Sequence, residues 1–161
     1  MRAILILLIF QFINYGTILS QQCTTFQLAE LNGIRMQVLD SVYTNATKSD
    51  KTDGVFTGKK LEKWTKAWGD YFVNLMQYFS DNELIWGNPT YCFNKIYFKE
   101  NGQVDFWLFN FRKSDSISTE KQEKYLVLLK EYTKTHKINI SAKIKFTQCA
   151  GVDFMDMEKS K

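Results

Sequence analysis

The dipeptide Asn101-Gly102 sits between two β-prone runs in the stretch 93–111, FNKIYFKENGQVDFWLFNF. Asn-Gly in that setting is the strongest short-range signal of a β-hairpin, and a hairpin commits its neighbours to covering a sheet. A two-residue loop would pair Phe98 with Asp105 and Lys99 with Val104, mixing charge and apolar groups on each face. A three-residue loop, Glu100-Asn101-Gly102, instead places Ile96, Phe98, Val104, Phe106 and Leu108 on one face. It also puts Gly102 where a type I turn with a G1 bulge needs positive φ. The second face carries Lys95, Lys99 and Asp105 together with Tyr97, Trp107, Phe109 and Phe111. Two readings stay open for it: another layer covers these rings, or they form an exposed aromatic platform for a ligand or partner.

The segments around the hairpin supply candidate covers. Over Lys59–Ser80 the residues Leu61, Trp64, Trp68, Tyr71, Phe72, Leu75, Tyr78 and Phe79 recur at spacings of three and four, which predicts an amphipathic helix. A second helix is expected from Thr119, capped by that residue with Gln122 at the capping-box position, and buried through Tyr125, Leu128, Leu129 and Tyr132. Between Thr24 and Tyr43 a weaker stripe, Leu28, Leu31, Ile34, Val38 and Val42, reads as helical although Gly33 interrupts it. Thr44–Gly54, Asp81–Thr90 and Arg112–Ser118 read as loops or connectors. Ile138, Ile140, Ala142, Ile144 and Phe146 alternate with Asn139, Ser141, Lys143, Lys145 and Thr147, the pattern of a strand with one face buried and one wet. The charged end, Gly151–Lys161, is expected to fray, with Asp153 and Asp156 solvated. The order helix, helix, strand, strand, helix, strand implies an α+β fold: a small antiparallel sheet, hairpin plus C-terminal strand, packed with helices.

The chain starts with Arg2 and an apolar run from Ala3 to about Ile13, a length that suits a secretory leader and is short for a membrane span of about 20 residues. Cleavage near Ser20 would leave 21–161 as a single α+β domain without a stable membrane span, periplasmic or secreted; an uncleaved anchor is the alternative. In that oxidising setting Cys23, Cys92 and Cys149 allow three pairings. Antiparallel neighbours would bring Cys92 and Cys149 to one end of the sheet, so a Cys92–Cys149 disulfide is expected, with Cys23 left over. Asn45 and Asn139 each begin a formal glycosylation sequon.

Chemistry-bearing patterns are sparse. The lone His136 excludes a histidine-cluster metal site, and the cysteines lack CxxC spacing. The glycines form no phosphate-binding loop. A net charge of +4 with interspersed Lys and Glu gives no basic stripe for nucleic acid. The expectation is no enzyme, no metal and no cofactor.

From Phe93 to Phe154 the order of hairpin, helix and strand resembles the C-terminal domain of TonB-type energy transducers. The counterparts are Ile96–Phe98, Asn101-Gly102, Val104–Phe109, Tyr125–Tyr132 and Ala142–Phe146. That resemblance implies a periplasmic module that pairs its sheet edge with a partner strand, and the leader followed by Ser-Gln is similar to exported proteins of Bacteroidetes-type bacteria. The expected function is an exported protein-interaction module that takes a protein or peptide at a sheet edge, placed at the strand Cys92–Lys99. The alternative is a small-molecule binder with an aromatic pocket between the Trp-rich helix and the sheet. The candidate binding residues are Trp64, Trp68, Tyr97, Trp107 and Phe109. A third reading, a secreted inhibitor of cystatin-like shape, has no inhibitor motif behind it.

Overall fold

The structure, a computed structural model, describes residues 22–48 and 54–159, so the expected leader lies outside the described residues. Its elements run β1 (Gln22–Thr25), α1 (Phe26–Leu31), α2 (Met36–Val42), β2 (Thr44–Asn45), α3 (Lys59–Asp81), β3 (Thr90–Phe98), β4 (Val104–Phe111), a 3-10 turn (Lys113–Asp115), α4 (Thr119–Thr135) and β5 (Phe146–Phe154). The fold is α+β. One five-stranded sheet has the order β1-β4-β3-β5-β2. β3 is antiparallel to both β4 and β5, while β1 and β2 add in parallel at the two ends. Among the described residues no helix is long and apolar enough to cross a membrane.

The hairpin turns as its sequence demands. Lys99 N–H donates to the Gln103 carbonyl at 2.8 Å, Gly102 N–H donates to the Lys99 carbonyl at 3.0 Å, and Gly102 has φ +83°. The three-residue loop is followed, however, by a bulge. Phe98 opposes Val104 but Tyr97 opposes Phe106, so Asp105 is an extra residue on β4. An extra residue exchanges the two faces of everything beyond it. Trp107 and Phe109 therefore join Ile96 and Phe98 beneath α3 and α4, whereas Phe106 and Leu108 join Tyr97 on the other side. The face assignment read from simple alternation is corrected accordingly.

The alternating run 138–147 is mostly not a strand. Ile138 N–H donates to the Gly102 carbonyl at 3.1 Å and Ala142 N–H to the Glu100 carbonyl at 2.8 Å, so this segment crosses the hairpin turn instead of entering a ladder. Extended chain alternates whether or not it is paired: Ile138 is buried, while Ile144 remains 50 % exposed. The pairing belongs to β5, which lies along β3 from Phe98↔Phe146 to Thr90↔Phe154. Its continuation is pinned, not frayed. The Asp156 carboxylate accepts the Trp86 and Gly87 N–H groups at 2.6 and 2.9 Å, and Met157 N–H donates to Ser80 Oγ at 2.9 Å.

The N-terminal stripe is helical, as two short helices, but its stripe residues are not the buried ones. Gln22–Thr25 pairs with β4, Thr25 Oγ1 caps α1 by accepting Leu28 N–H at 3.2 Å, and Gly33 breaks the helix with φ +77°. What α1 and α2 bury is Ala29, Leu39 and Tyr43; Leu28, Leu31, Val38 and Val42 are exposed. α3 matches its sequence signal to within a residue. α4 is capped one residue before the expected Thr119, by Ser118 Oγ accepting Lys121 N–H at 3.2 Å.

No disulfide joins the described residues; all three cysteines are free thiols. The expected Cys92–Cys149 pair fails on register. Cys149 lies opposite Lys95, while Cys92 lies opposite Val152. Three positions along a strand are about 10 Å, and an odd offset puts the two side chains on opposite faces, beyond the reach of a bridge. Cys92 and Cys23 are buried and Cys149 is exposed.

Two outcomes follow from these contacts. A Cβ at Gly102 would collide with the carbonyl oxygens of Ile138 and Ile140, whereas one at Gly69 in α3 meets nothing within 4 Å. In urea denaturation Gly102→Ala should cost more than about 2 kcal/mol, and Gly69→Ala should stabilise by about 0.5–1 kcal/mol. Alkylation of the native protein should label Cys149, with Cys23 and Cys92 reacting only after unfolding. Burial raises Cys23 to about 11 and Cys92 to about 12, from an ordinary value of 9.0. Below pH 9 both states hold these protons and stability is unaffected. Between pH 9 and 11 only the unfolded chain ionises. Stability should fall there, steepening toward about 1.4 kcal/mol per pH unit for each thiol, and Cys23→Ala/Cys92→Ala should remove the thiols' share of that slope, leaving what the buried tyrosines add above pH 10.

Candidate functional site

The helix-side face of the sheet is an aromatic layer. Trp64 stacks on Phe56 at 4.9 Å and on Trp68 at 5.1 Å, and both indoles meet Phe98 edge-on. Phe72 links Trp68 at 5.0 Å to Trp107 at 5.8 Å. Phe109 packs on Tyr125 at 4.9 Å. Trp107 Nε1–H donates to Asn94 Oδ1 at 2.8 Å, which fixes the indole in the sheet. Of the five residues singled out from sequence, Trp64, Trp68, Trp107 and Phe109 thus share one layer, and the rings themselves fill the space between helix and sheet. Tyr97 does not join them; the bulge leaves it on the opposite face, against Tyr43 at 5.0 Å and Phe106 at 6.2 Å.

That opposite face is covered by α1 and α2 and is stapled by two carboxylates. Asp105, only 5 % exposed, accepts Tyr43 O–H at 2.6 Å and Lys145 Nζ at 3.2 Å, with Lys99 Nζ 3.9 Å away. Asp40 of α2 takes Tyr97 O–H at 3.0 Å and Lys95 Nζ at 2.7 Å. Desolvation, then the hydrogen bonds to these carboxylates, raise both tyrosines far above the usual phenol range, so both stay protonated donors. No sequence signal marks this network, because the bulge that turns Asp105 inward has none.

The sheet edges can be read from backbone direction. Thr44 and Ala46 N–H groups reach the carbonyls of Lys145 and Thr147, and Val55 and Phe56 N–H groups in turn bond to Asn45 and Ala46. β2 is therefore closed on its outer side but covers only Phe146 and Thr147 of β5. Backbone direction alternates along a strand, so Cys149, Gly151 and Asp153 point their N–H and C=O groups away from β3. These three residues are exposed, and among the described residues Gln148–Phe154 has no strand on the side away from β3. β3, where the contact was expected, is flanked by β4 and β5 and offers no edge. Near the open edge stands Asp40 of α2, which pairs with Lys95, the residue opposite Cys149.

Among the described residues no three His, Cys, Asp or Glu side chains are grouped to hold a metal ion. His136 ends α4, stacked on Tyr132 at 4.2 Å. Tyr43→Phe, which removes a hydrogen bond to a buried carboxylate, should cost about 1.5–3 kcal/mol in denaturant titrations. Tyr97→Phe should cost less, because Asp40 is 45 % exposed and water replaces the donor. Comparison of the chain with family models, with curated proteins and with solved structures finds no match.

Proposed function

We propose that this is an exported interaction module that takes an extended protein or peptide segment onto the outer edge of β5. The supporting observation is that edge itself. Gln148–Phe154 carries outward backbone groups at Cys149, Gly151 and Asp153, with no strand on that outer side among the described residues. Edges that must stay single are usually defended by lysine, proline or a bulge. This one has no lysine and no proline, and Asp153 is its one charge. An added strand would gain ladder hydrogen bonds there. The apolar run Ala3–Ile13 supports export. The observed order hairpin, helix, strand keeps the likeness to TonB-type domains as a proposal, with β5 taking the role first given to Ala142–Phe146.

The test uses backbone chemistry. Proline at an outward position removes an edge N–H and leaves the β3 ladder intact. Cys149→Pro and Asp153→Pro should fold with little change in melting temperature yet lose a partner that the wild-type chain and Cys149→Ser both recover from their native host. Recovery of the same partner by all four proteins would reject the β5 edge as the contact.

A further inference from the structure

A groove of about 420 Å³ lies where the start of α3, the hairpin turn and the 137–141 segment meet. Lys60 and Lys63 line it from α3 and Lys137 from the opposite wall; Ile140 is its partly exposed apolar residue, over Phe56 and Ile138, which are buried beneath. We propose that this groove binds a phosphate monoester that carries a small apolar group.

The charge distribution is one-sided. No Asp or Glu lines the groove, although Glu62 and Glu100 lie close by in sequence. Elsewhere Lys66, Lys95, Lys99, Lys145, Arg112 and Lys159 each stand within 4.0 Å of a carboxylate. Lys60, Lys63 and Lys137 have no such partner among the described residues, as is true also of Lys59, Lys113, Lys130, Lys134 and Lys143; what sets the three apart is that they share one concavity. Three ammonium groups around one concavity suit a dianion better than a single carboxylate, since lysine acts on phosphate as a point charge from any side. Neutral donors add to them. Asn101 Oδ1 accepts Gln103 N–H at 3.0 Å, which leaves its amide N–H groups for a ligand, and Asn139 and Ser141 stand on the opposite wall.

The walls are built before any ligand arrives. Phe56 is held between Trp64 at 4.9 Å and Phe146 at 5.2 Å, and the 137–141 segment is tied to the hairpin by the Ile138 N–H and Ala142 N–H bonds. A fixed floor, with Ile140 partly exposed on it beside three lysines, is what would distinguish a site for an organic phosphate from a solvated lysine face. This site is independent of the β5 edge and shares no residue with it.

The experiment is calorimetric titration of the full chain with phenyl phosphate, inorganic phosphate and phenol, and vesicle binding with and without phosphatidic acid. Phenyl phosphate should bind more tightly than inorganic phosphate, and phenol should not bind. Lys60→Ser, Lys63→Ser and Lys137→Ser should each weaken phenyl phosphate about tenfold, as for the loss of one charge-assisted hydrogen bond. Ile140→Ser should weaken phenyl phosphate but not inorganic phosphate, and Lys130→Ser on α4 should change nothing. Binding to phenyl phosphate alone assigns a soluble ester, and binding to phosphatidic acid vesicles alone assigns a lipid headgroup. Failure of both, or equal affinity in wild type and the three groove variants, overturns the proposal. All three lysines are exposed, so the variants should keep the wild-type melting temperature.

Discussion

One inserted residue organises the sheet. With Asp105 added to β4, the strand turns Trp107 and Phe109 toward α3 and α4 and turns Phe106 and Leu108 toward α1 and α2. Both faces of the hairpin become interior, and both need a cover. Without the bulge, strict alternation would set Trp107 beside Tyr97, and the Trp64–Trp68–Phe72–Trp107 layer would lose its last member. A carboxylate so placed cannot be left unpartnered. Tyr43 at the end of α2, Lys145 ahead of β5 and Lys99 before the turn meet that need, and the first two tie segments distant in sequence to β4.

What the sequence made legible was whatever local chemistry determines. Gly102 could be placed from Asn-Gly alone, because only a residue tolerant of positive φ fits that turn. α3 was legible because eight large apolar residues repeat at helical spacing, and Tyr125, Leu128, Leu129 and Tyr132 served α4 in the same way. The bulge was not legible, since its partners lie 62 and 40 residues away in sequence. β5 escaped for a related reason. TQCAGVD has few apolar side chains, because its pairing with β3 is backbone hydrogen bonding and most of its side chains are half-wet. The run before it alternates more cleanly, yet it is only extended chain laid over a turn.

The candidate site shows the same division. Trp64, Trp68, Trp107 and Phe109 were recognisable as aromatic and were brought together as a group, but as packing. Tyr97 was separated from them by the one feature with no sequence signature. Functional surfaces had to be found instead from what the fold leaves unfinished. An edge is open or closed according to the length of its neighbour, and β2 is two residues long against nine in β5. A lysine is free or paired according to which acid the fold sets beside it.

The two unfinished features also differ in how they can respond to solution conditions. Ladder hydrogen bonds at an edge exchange water partners for peptide partners and carry no net charge, so pairing along β5 is weakly sensitive to salt. Three unpaired ammonium groups form a local field that ions screen over about 8–10 Å at physiological ionic strength. Under the two proposals, salt would separate the two modes of attachment: raising ionic strength would release an anion from the Lys60–Lys63–Lys137 groove and leave a bound strand in place.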